Sequence, residues 1–449
     1  MTKPERFDGK VNRTVDDSEP WWPPLPEHAH GPRPNVLLIL FDDTGFAHFG
    51  CYGSTIDTPN IDALAARGLR YSNFHVTPLC SPSRAAILTG RNHHAVGMRT
   101  IANYHDGGFP NMRAAITPRA TTLAEILQSQ GYATYALGKW HLCPAEENSA
   151  AGPYDDWPLQ RGFDRYYGFL SGATDQFYPE LTCDNHHIDP PRTPEEGYHV
   201  TEDLVDHAIG DLRDKQSNRP QQPFFMYLSL GAMHEPHQAP HKYIKKYRGR
   251  FDAGWDEVRR QWYERQLASG IIPPDTELAP RNPGVDAWND VPEKQQKFAN
   301  RLQEAFAGFL DHSDAQIGRL LDYLETSDQL DNTIVILTSD NGTSGMGGPT
   351  GIMSSGSGGV RQPTSDGRML LDATHGEGTL HVDDMDEVLS RLDDIGGPRS
   401  WCDIPWGWGQ AGNTPLRWYK GDTYGGGVRV PLIVHWPERI RQAGGRGQF

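Results

Sequence analysis

Short, wholly apolar runs recur along this chain and are separated by stretches with the spacing of amphipathic helices. The first run, N-V-L-L-I-L-F at 35–41, has no polar position after its asparagine, which is typical of a strand buried on both faces of a parallel sheet. Similar runs occupy 132–137, 224–230, 333–338 and 430–435. Because helical stretches lie between these runs, the pattern predicts βαβ units, and therefore an α/β fold with a large, mostly parallel sheet.

Capping residues mark one of the helices clearly. In the stretch T-P-N-I-D-A-L-A-A-R-G, Thr58 is placed to be the N-cap, Pro59 the first helical residue and Gly68 the C-terminal stop. Further helices are predicted over 121–131 and from about 298 to 326. They alternate with the predicted strands, as a sheet covered by helices requires.

Two segments interrupt this alternation. Residues 1–34 are rich in proline and tryptophan, which favours an extended polyproline II arm lying on the domain that follows. Residues 343–413 are glycine-rich at first and aspartate-rich later, which indicates an excursion over one end of the sheet. We therefore expect an arm and one large domain over 35–449 that contains the excursion.

Charge and composition exclude several classes of protein. A formal net charge of −16 at pH 7 argues against nucleic acid or an anionic membrane as the main partner, so an anionic substrate needs a local cluster of positive charge. No apolar run approaches the roughly 20 residues of a membrane-spanning helix, and the start lacks the apolar region of a secretory signal. The five cysteines are scattered without a C-x-x-C pair, which argues against a disulfide framework or a zinc knuckle. We expect a cytoplasmic protein.

Polar, chemically able residues follow four of the predicted strands. They are Asp42 and Asp43 after the first strand, Lys139 and His141 after the second, His234 after the third, and Asp340 and Asn341 after the fourth. Each of them alone is typical of a turn or of a hydrogen-bonded loop. Because ligands bind at the carboxyl ends of the strands in open parallel sheets, their joint placement predicts one common site.

Four of these residues form a set of oxygen donors. Asp42, Asp43, Asp340 and Asn341 supply three carboxylates and one amide carbonyl. Oxygen donors without His or Cys suit a hard cation, Ca²⁺ or Mg²⁺, better than zinc. The choice between the two cations depends on coordination geometry, which the residues alone do not specify.

Cys80 opens the stretch C-S-P-S-R and is predicted to lie at a helix N-terminus. Pro82 suits an early helical position and Gly90 closes the short helix. The free N–H groups of a helix N-terminus and the nearby Arg84 both favour an anion. A thiolate nucleophile and a buried structural cysteine are both compatible with this position, but neither accounts for a hard cation and several basic groups at the same site.

The stretch C-S-P-S-R-A-A-I-L-T-G-R resembles the signature of the type I sulfatases, in which the cysteine of a C-x-P-S-R or C-x-P-x-R motif is oxidised to Cα-formylglycine. Other stretches similar to this family cover nearly the whole chain after about residue 34, among them N-V-L-L-I-L-F-D-D, G-Y-A-T-Y-A-L-G-K-W-H-L, D-N-T-I-V-I-L-T-S-D-N-G and Y-G-G-G-V-R-V-P-L-I-V. The stretch K-Y-R-G-R-F-D-A-G-W-D further resembles the bacterial arylsulfatases, which act on aryl sulfate esters.

The resemblance implies an alkaline-phosphatase-like fold, a large sheet sandwiched by helices, for a catalytic domain over 35–449. It implies that a formylglycine-generating enzyme converts Cys80 and that the oxygen donors hold Ca²⁺ rather than Mg²⁺. The residues that match the polar ring around the sulfate group are Arg84, Lys139, His141, His234 and Lys420. The substrate implied is a small anionic sulfate ester, hydrolysed to a phenol and inorganic sulfate.

The implied chemistry assigns roles to these side chains. One hydroxyl of the hydrated aldehyde attacks sulfur in line with the leaving oxygen, and the second hydroxyl, once deprotonated, expels sulfate. His234, near Lys420, is the candidate general acid for the leaving phenolate, and His141 is the candidate for contacting the hydrated aldehyde. Lys139, Lys420, Arg84 and the cation stabilise the sulfuryl oxygens.

Several other histidines have structural interpretations. His93 and His94 follow the Cys80 helix and are as suited to supporting the site as to reaching it. His186 and His187, near Cys183, are typical of a loop, and His237 in H-E-P-H is a candidate for the entrance.

Two alternatives in function remain open at this point. An unoxidised Cys80 or a disturbed pocket would make the chain a catalytically silent homologue that binds anions or metal. A phosphate or phosphonate ester hydrolase of the same superfamily would use the same groups. The chain ends shortly after 430–435, where the family usually continues into a small antiparallel C-terminal domain, and we expect that domain to be absent or truncated.

Overall fold

A computed structural model of the chain describes residues 7–21, 33–103, 108–354, 385–440 and 445–447. The strands in these ranges are β1 (Asn35–Phe41), β2 (Leu69–His75), β3 (Ala133–Lys139), β4 (Arg165–Phe169), β5 (Leu181–Cys183), β6 (His186–Ile188), β7 (Phe224–Ser229), β8 (Thr333–Ser339), β9 (Ile352–Ser354), β10 (Trp401–Asp403), β11 (Arg429–His435) and β12 (Gly445–Gly447). Ten of them form one sheet in the order β12-β2-β11-β8-β1-β7-β3-β4-β5-β6, and β9 pairs with β10 separately.

The centre of the sheet is parallel, as the sequence predicts. Strands β8, β1, β7, β3 and β4 run in one direction, with β1 between β8 and β7. Strand β11 lies where the apolar run 430–435 predicts a strand, but it runs antiparallel to both of its neighbours. An apolar run indicates burial and not direction, so the pattern alone does not distinguish the two orientations.

The described helices are α1 (Pro59–Arg67), α2 (Cys80–Thr89), α3 (Leu123–Ser129), α4 (Val200–Asn218), α5 (His241–Lys246), α6 (Gly254–Ser269), α7 (Glu293–Thr326), α8 (Met385–Ser390), α9 (Trp406–Gly412) and α10 (Gly425–Val428). Helix α1 begins at Pro59 and ends before Gly68, as predicted. Helix α7 begins five residues earlier than predicted, because the polar stretch 293–297 consists of good helix formers.

Two hydrophobic cores cover the two faces of the sheet. Along β1, Leu37 and Ile39 belong to the core that contains apolar side chains of α1, α4 and α7. Leu38 and Leu40 belong to the other core, with side chains of α2 and α3. Because neighbouring residues of a strand point to opposite faces, a continuous apolar run such as β1 is what a sheet sandwiched by helices needs. The predicted layer arrangement is therefore confirmed.

The N-terminal segment differs from the predicted extended arm. Within 7–21 the chain folds back on itself, and Lys10 pairs with Glu19 in an antiparallel bridge. Side chains of turn-forming residues stabilise the reversal, with the Thr14 hydroxyl donating to Asp17 and the Ser18 hydroxyl donating to the Thr14 carbonyl. Most of the proline-rich stretch lies outside the described residues, as do residues 355–384 of the predicted excursion. Among the helices that are described, none has the length and apolar character needed to cross a bilayer.

Candidate active site at the carboxyl edge of the sheet

The structure brings all ten sequence-predicted site residues together at the carboxyl edge of the parallel strands. They are Asp42, Asp43, Cys80, Arg84, Lys139, His141, His234, Asp340, Asn341 and Lys420, and they form a set of ion pairs and hydrogen bonds. Strand register explains part of this convergence, because Phe41 at the end of β1 lies beside Ser339 at the end of β8. The residues that follow these two strands therefore meet.

Backbone conformation at Asp43 places two consecutive carboxylates in one site. In an extended strand, neighbouring side chains point to opposite faces. Asp43 has a φ of +49°, in the left-handed region, and this breaks the alternation just after β1. The Asp43 backbone N–H then donates to Asp340 Oδ1 at 3.3 Å, and Asn341 Nδ2 donates to Asp43 Oδ1 at 2.6 Å.

Two buried oxygens of this set lack a hydrogen-bond partner among the described residues. They are Asp42 Oδ1 and Asn341 Oδ1. Buried polar atoms are nearly always paired. A bound cation would explain the two unpaired oxygens, which follow the neighbouring strands β1 and β8. Asp42, Asp43 and His234 also offer ligand atoms within 4.8 Å of one another. The donors present are mainly carboxylate and amide oxygens, and they fit a hard divalent cation.

Three basic side chains face the three carboxylates. Lys139 Nζ lies 2.5 Å from Asp42 Oδ2, and Lys420 Nζ lies 2.8 Å from Asp43 Oδ2. Although burial opposes it, the Asp43 carboxylate holds the pKa of Lys420 well above its usual value. Lys420 therefore stays protonated across the physiological range.

Arg84 completes this set of cations from the first turns of α2. Its Nε and Nη2 donate to Asp340 Oδ2 at 2.9 and 2.7 Å. Its Nη1 donates to the Ser229 hydroxyl and to the Lys139 carbonyl. Its side chain is fully buried, and a buried cation is tolerated only where partners of this kind surround it. The result is a site in which three positive charges are each paired with one of the three carboxylates.

Cys80 is the first residue of α2, and its side chain is buried. Burial raises the pKa of its thiol, although Lys139 and Lys420 act in the opposite direction. The unmodified side chain is therefore a protonated thiol at neutral pH, which argues against the thiolate nucleophile. Its Sγ lies 3.2 Å from Nδ1 of His141, so it is in contact with the site rather than with the apolar core alone.

His141 is held in one orientation by residues that the sequence analysis missed. Its Nε2 lies 2.7 Å from Asn103 Oδ1, which is an acceptor, so Nε2 carries the proton and Nδ1 presents a lone pair to residue 80. Gly172 packs against the ring so closely that a Cβ there would lie 2.7 Å from the imidazole Cε1. Burial, together with Lys139 and Arg84, holds the pKa of His141 well below its usual value. The ring is therefore neutral, as a proton acceptor must be.

His234 has the opposite protonation preference. Its Nε2 lies 3.9 Å from Asp43 Oδ2, and its Nδ1 lies 3.0 Å from Glu235 Oε2. Although burial opposes it, Glu235 raises the pKa of His234, and His234 in turn lowers the pKa of Glu235 to about 2. One ring nitrogen therefore faces the site while the other faces a buried carboxylate. Glu235 is visible in the sequence only as part of H-E-P-H.

The remaining histidines do not join this cluster. His237 is buried, its Nε2 lies 3.0 Å from the Met233 carbonyl, and burial lowers its pKa to about 4. His93 is hydrogen-bonded to the Met98 carbonyl, and the rings of His93 and His94 are in contact.

His187 is hydrogen-bonded to Thr182 and to the Asn148 carbonyl, and His186 is exposed. Both lie on the short strand β6, which pairs with β5, rather than in the predicted loop. No sequence pattern marks Asn103 or Gly172 as a site residue, because each acts through a contact with His141, which is distant along the chain.

Comparison with known proteins gives consistent matches. The family model described as Sulfatase matches residues 34–448. An uncharacterized sulfatase of Schizosaccharomyces pombe is 33% identical over 443 residues, which cover 92% of this chain and 72% of the relative. An arylsulfatase of Klebsiella aerogenes is 32% identical over 320 residues, which cover 70% of this chain and 67% of the relative. The solved structure of Ps i-CgsB in complex with k-i-k-neocarrahexaose matches with a TM-score of 0.57 and 25% identity, over 92% of this chain and 68% of that one.

Proposed function

The chain belongs to the sulfatase family and has its alkaline-phosphatase-like fold, and from this premise we propose that it hydrolyses aryl sulfate esters to a phenol and inorganic sulfate. The observation that carries the proposal is the position of Cys80. It opens a helix, contacts a neutral histidine and lies in a site with two buried cations, the partly buried Lys420 and a set of oxygen donors.

Two groups that the chain itself does not encode complete the proposed site. A formylglycine-generating enzyme converts Cys80 to formylglycine, and Ca²⁺ is held by Asp42, Asp43, Asp340 and Asn341. The unpaired oxygens of Asp42 and Asn341 support the calcium proposal. The hydrated aldehyde supplies the hydroxyl nucleophile, and the cation makes that hydroxyl more acidic and draws charge from the sulfuryl oxygens.

The chain's own residues then move protons and stabilise charge. Nδ1 of His141 accepts a proton from the group at position 80, because the opposite nitrogen is held as a donor by Asn103. His234 donates a proton to the leaving oxygen, and Glu235 keeps it protonated for that step. Lys139, Lys420 and Arg84 bind the sulfuryl oxygens and stabilise the charge that develops on them.

The substrate is a small anionic ester rather than a polyanion. The formal charge of −16 is unfavourable for nucleic acid, whereas the three site cations provide a local attraction for one sulfate group. The arylsulfatase of Klebsiella aerogenes supports the aryl preference, and the complex of Ps i-CgsB with k-i-k-neocarrahexaose represents carbohydrates as the competing class of ligand.

The experiment that tests the proposal combines mass spectrometry and kinetics. Peptides across Cys80, from protein made in a host able to form formylglycine, are expected to carry the aldehyde, and the protein is expected to hydrolyse 4-nitrophenyl sulfate. An unmodified thiol without turnover would favour the catalytically silent homologue. A clear preference for 4-nitrophenyl phosphate or an aryl phosphonate over the sulfate would favour the phosphate or phosphonate ester hydrolase.

A further inference from the structure

A cavity of about 290 Å³ opens beside Lys420. Its lining includes Met346, Trp406, Trp418, Tyr419, Lys420 and Asp422. These residues come from the segment after β8, from the first position of α9 and from the segment that carries Lys420. The volume lies near the lower end of the range for small-molecule sites, and three of the eight lining residues are aromatic.

The cavity adjoins the candidate active site. Lys420 lines the cavity and also contacts Asp43 through Nζ at 2.8 Å. The Lys420 backbone N–H donates to the Thr343 carbonyl, two residues after Asn341. The backbone N–H of Gly421 donates to the carbonyl of Pro78, two residues before Cys80. The segment that carries the aromatic walls is therefore tied to both the oxygen donors and the helix N-terminus.

Trp406 and Tyr419 form a stacked part of the aromatic wall whose polar atoms are paired, whereas Trp418 Nε1 is buried without a hydrogen-bond partner among the described residues. The rings of Trp406 and Tyr419 stack with centroids 6.4 Å apart and an angle of 24°. Trp406 Nε1 donates to the Gly345 carbonyl at 2.7 Å, and the Tyr419 hydroxyl donates to the Trp406 carbonyl at 3.0 Å. With these groups paired, Trp406 and Tyr419 offer mainly ring faces and edges to a ligand. Such surfaces favour a flat apolar ring.

Charge in the cavity disfavours a second anionic group. Asp422 is part of the lining, and Lys420 is already paired with Asp43. A ligand with one sulfate at the site cations and a second sulfate in the cavity would meet the Asp422 carboxylate, and like charges repel. An uncharged ring meets no such penalty.

We propose that this cavity binds the leaving group of the ester and selects an uncharged planar aromatic group of one or two fused rings. The inference rests on the proposed function, because it assigns the part of the substrate that lies beyond the sulfate. Met346 and Trp418 are then specificity-determining residues, since each contributes a side chain to the cavity without joining the ion pairs of the site.

Two variants change the cavity in opposite ways. Met346→Trp fills it, and Trp418→Ala widens it. Both are expected to lower kcat/KM for 2-naphthyl sulfate by roughly 3- to 10-fold through KM, in line with the loss of one aromatic contact or with exclusion of the second ring. Competitive inhibition by inorganic sulfate, which has no aromatic ring, is expected to change by less than about twofold. Ile126→Ala is the matched control, since Ile126 is half-exposed on α3.

A binding experiment separates the cavity from catalysis. A Cys80→Ala protein is expected to bind 2-naphthol in calorimetry, and Cys80→Ala/Met346→Trp is expected to lose that binding. Equal effects of the two cavity variants on the KM for 2-naphthyl sulfate and on inhibition by inorganic sulfate, or naphthol binding unchanged by Met346→Trp, would overturn the cavity proposal. Hydrolysis of 4-nitrophenyl sulfate would still support the proposed function. The proposed function would instead be overturned if naphthol binding depended on Met346 while the parent protein, with Cys80 intact, hydrolysed no sulfate ester.

Discussion

Two buried carboxylate clusters in this protein look alike in burial and differ in how their oxygens are paired. At the start of α4, Asp203 Oδ2 accepts the hydroxyls of Tyr167 and Tyr198 at 2.6 and 3.0 Å, and Oδ1 lies 3.3 Å from His207 Nδ1. At the carboxyl edge of the sheet, Asp42 Oδ1 and Asn341 Oδ1 have no such partner. Asp203 is 4% exposed and Asp42 is 0% exposed, so burial does not distinguish them.

The pairing of the carboxylate oxygens distinguishes a candidate ligand site from a cluster with a structural role. Folding alone accounts for the Asp203 cluster, because every oxygen there is matched to a donor of the protein. The sheet-edge cluster has donors for part of its oxygen set and leaves Asp42 Oδ1 and Asn341 Oδ1 unpaired. Two unpaired buried oxygens next to further carboxylates therefore support the proposed cation site.

The largest effect is expected at Cys80, which has no counterpart in the Asp203 cluster. Cys80→Ser, made in the same formylglycine-forming host as the parent, is expected to reduce hydrolysis of 4-nitrophenyl sulfate by at least about a thousandfold. The reason is that a serine hydroxyl does not supply the hydrated aldehyde. Steady-state kinetics measures the loss. Cys183→Ser is the matched control, since Cys183 lies on β5 outside the site, and comparable loss in both variants would contradict the assignment.

Removing one oxygen donor is expected to have the next largest effect. Asp340→Asn is expected to weaken calcium binding by at least roughly 10- to 100-fold and to lower activity in parallel, since the substitution removes charge from a ligand. Calcium titration by calorimetry measures the affinity. Asp203→Asn should leave calcium affinity unchanged, and an equal change in the two variants would remove the distinction between the clusters.

Asp203 itself is expected to affect stability and not chemistry. Asp203→Ala leaves two buried tyrosine hydroxyls without their acceptor, so the free energy of unfolding should fall by about 1–3 kcal/mol. Urea unfolding measures this change. The kcat of the folded variant on 4-nitrophenyl sulfate should stay within about twofold of the parent. A large loss of kcat without a loss of stability would show that the cluster acts on the site.

The smallest effect is expected from pH at His207. Although burial opposes it, the Asp203 carboxylate raises the pKa of His207, so the protonated ring stabilises the folded state. This stabilisation is fully present below the unfolded pKa of about 6.5 and is lost as pH rises through the higher folded value. His207→Gln should therefore destabilise the protein more at about pH 5.5 than at about pH 8.5, by less than about 1 kcal/mol because the ring is partly exposed. Thermal unfolding at both pH values measures the difference, and a constant difference would contradict the pairing.

The sequence predicts the sheet edge better than it predicts the details of the site. Apolar runs mark β1 and β8, and the carboxyl ends of parallel strands meet, so the convergence of Asp42 with Asp340 follows from pattern alone. Lys420 follows no parallel strand end, and only the family resemblance assigns it to the site. Patterns of this kind carry no information on strand direction, which is why the antiparallel course of β11 was not predicted.

Contacts between distant segments account for the residues that the sequence analysis missed. Asn103 and Gly172 lie in loops, and each acts through its contact with His141. Neither residue type is unusual in a loop, so no local signal separates these two from other asparagines and glycines. Only the folded structure shows which of them meets the ring.

The contact between Gly172 and His141 has a consequence for which variants of this protein can work. The position allows no side chain, because even one methyl group would occupy space now filled by the imidazole. A library that randomises this codon should return glycine alone among active clones. The short distance between the Gly172 backbone and the His141 ring thus restricts which residues position 172 can accept, although Gly172 itself takes no part in the reaction.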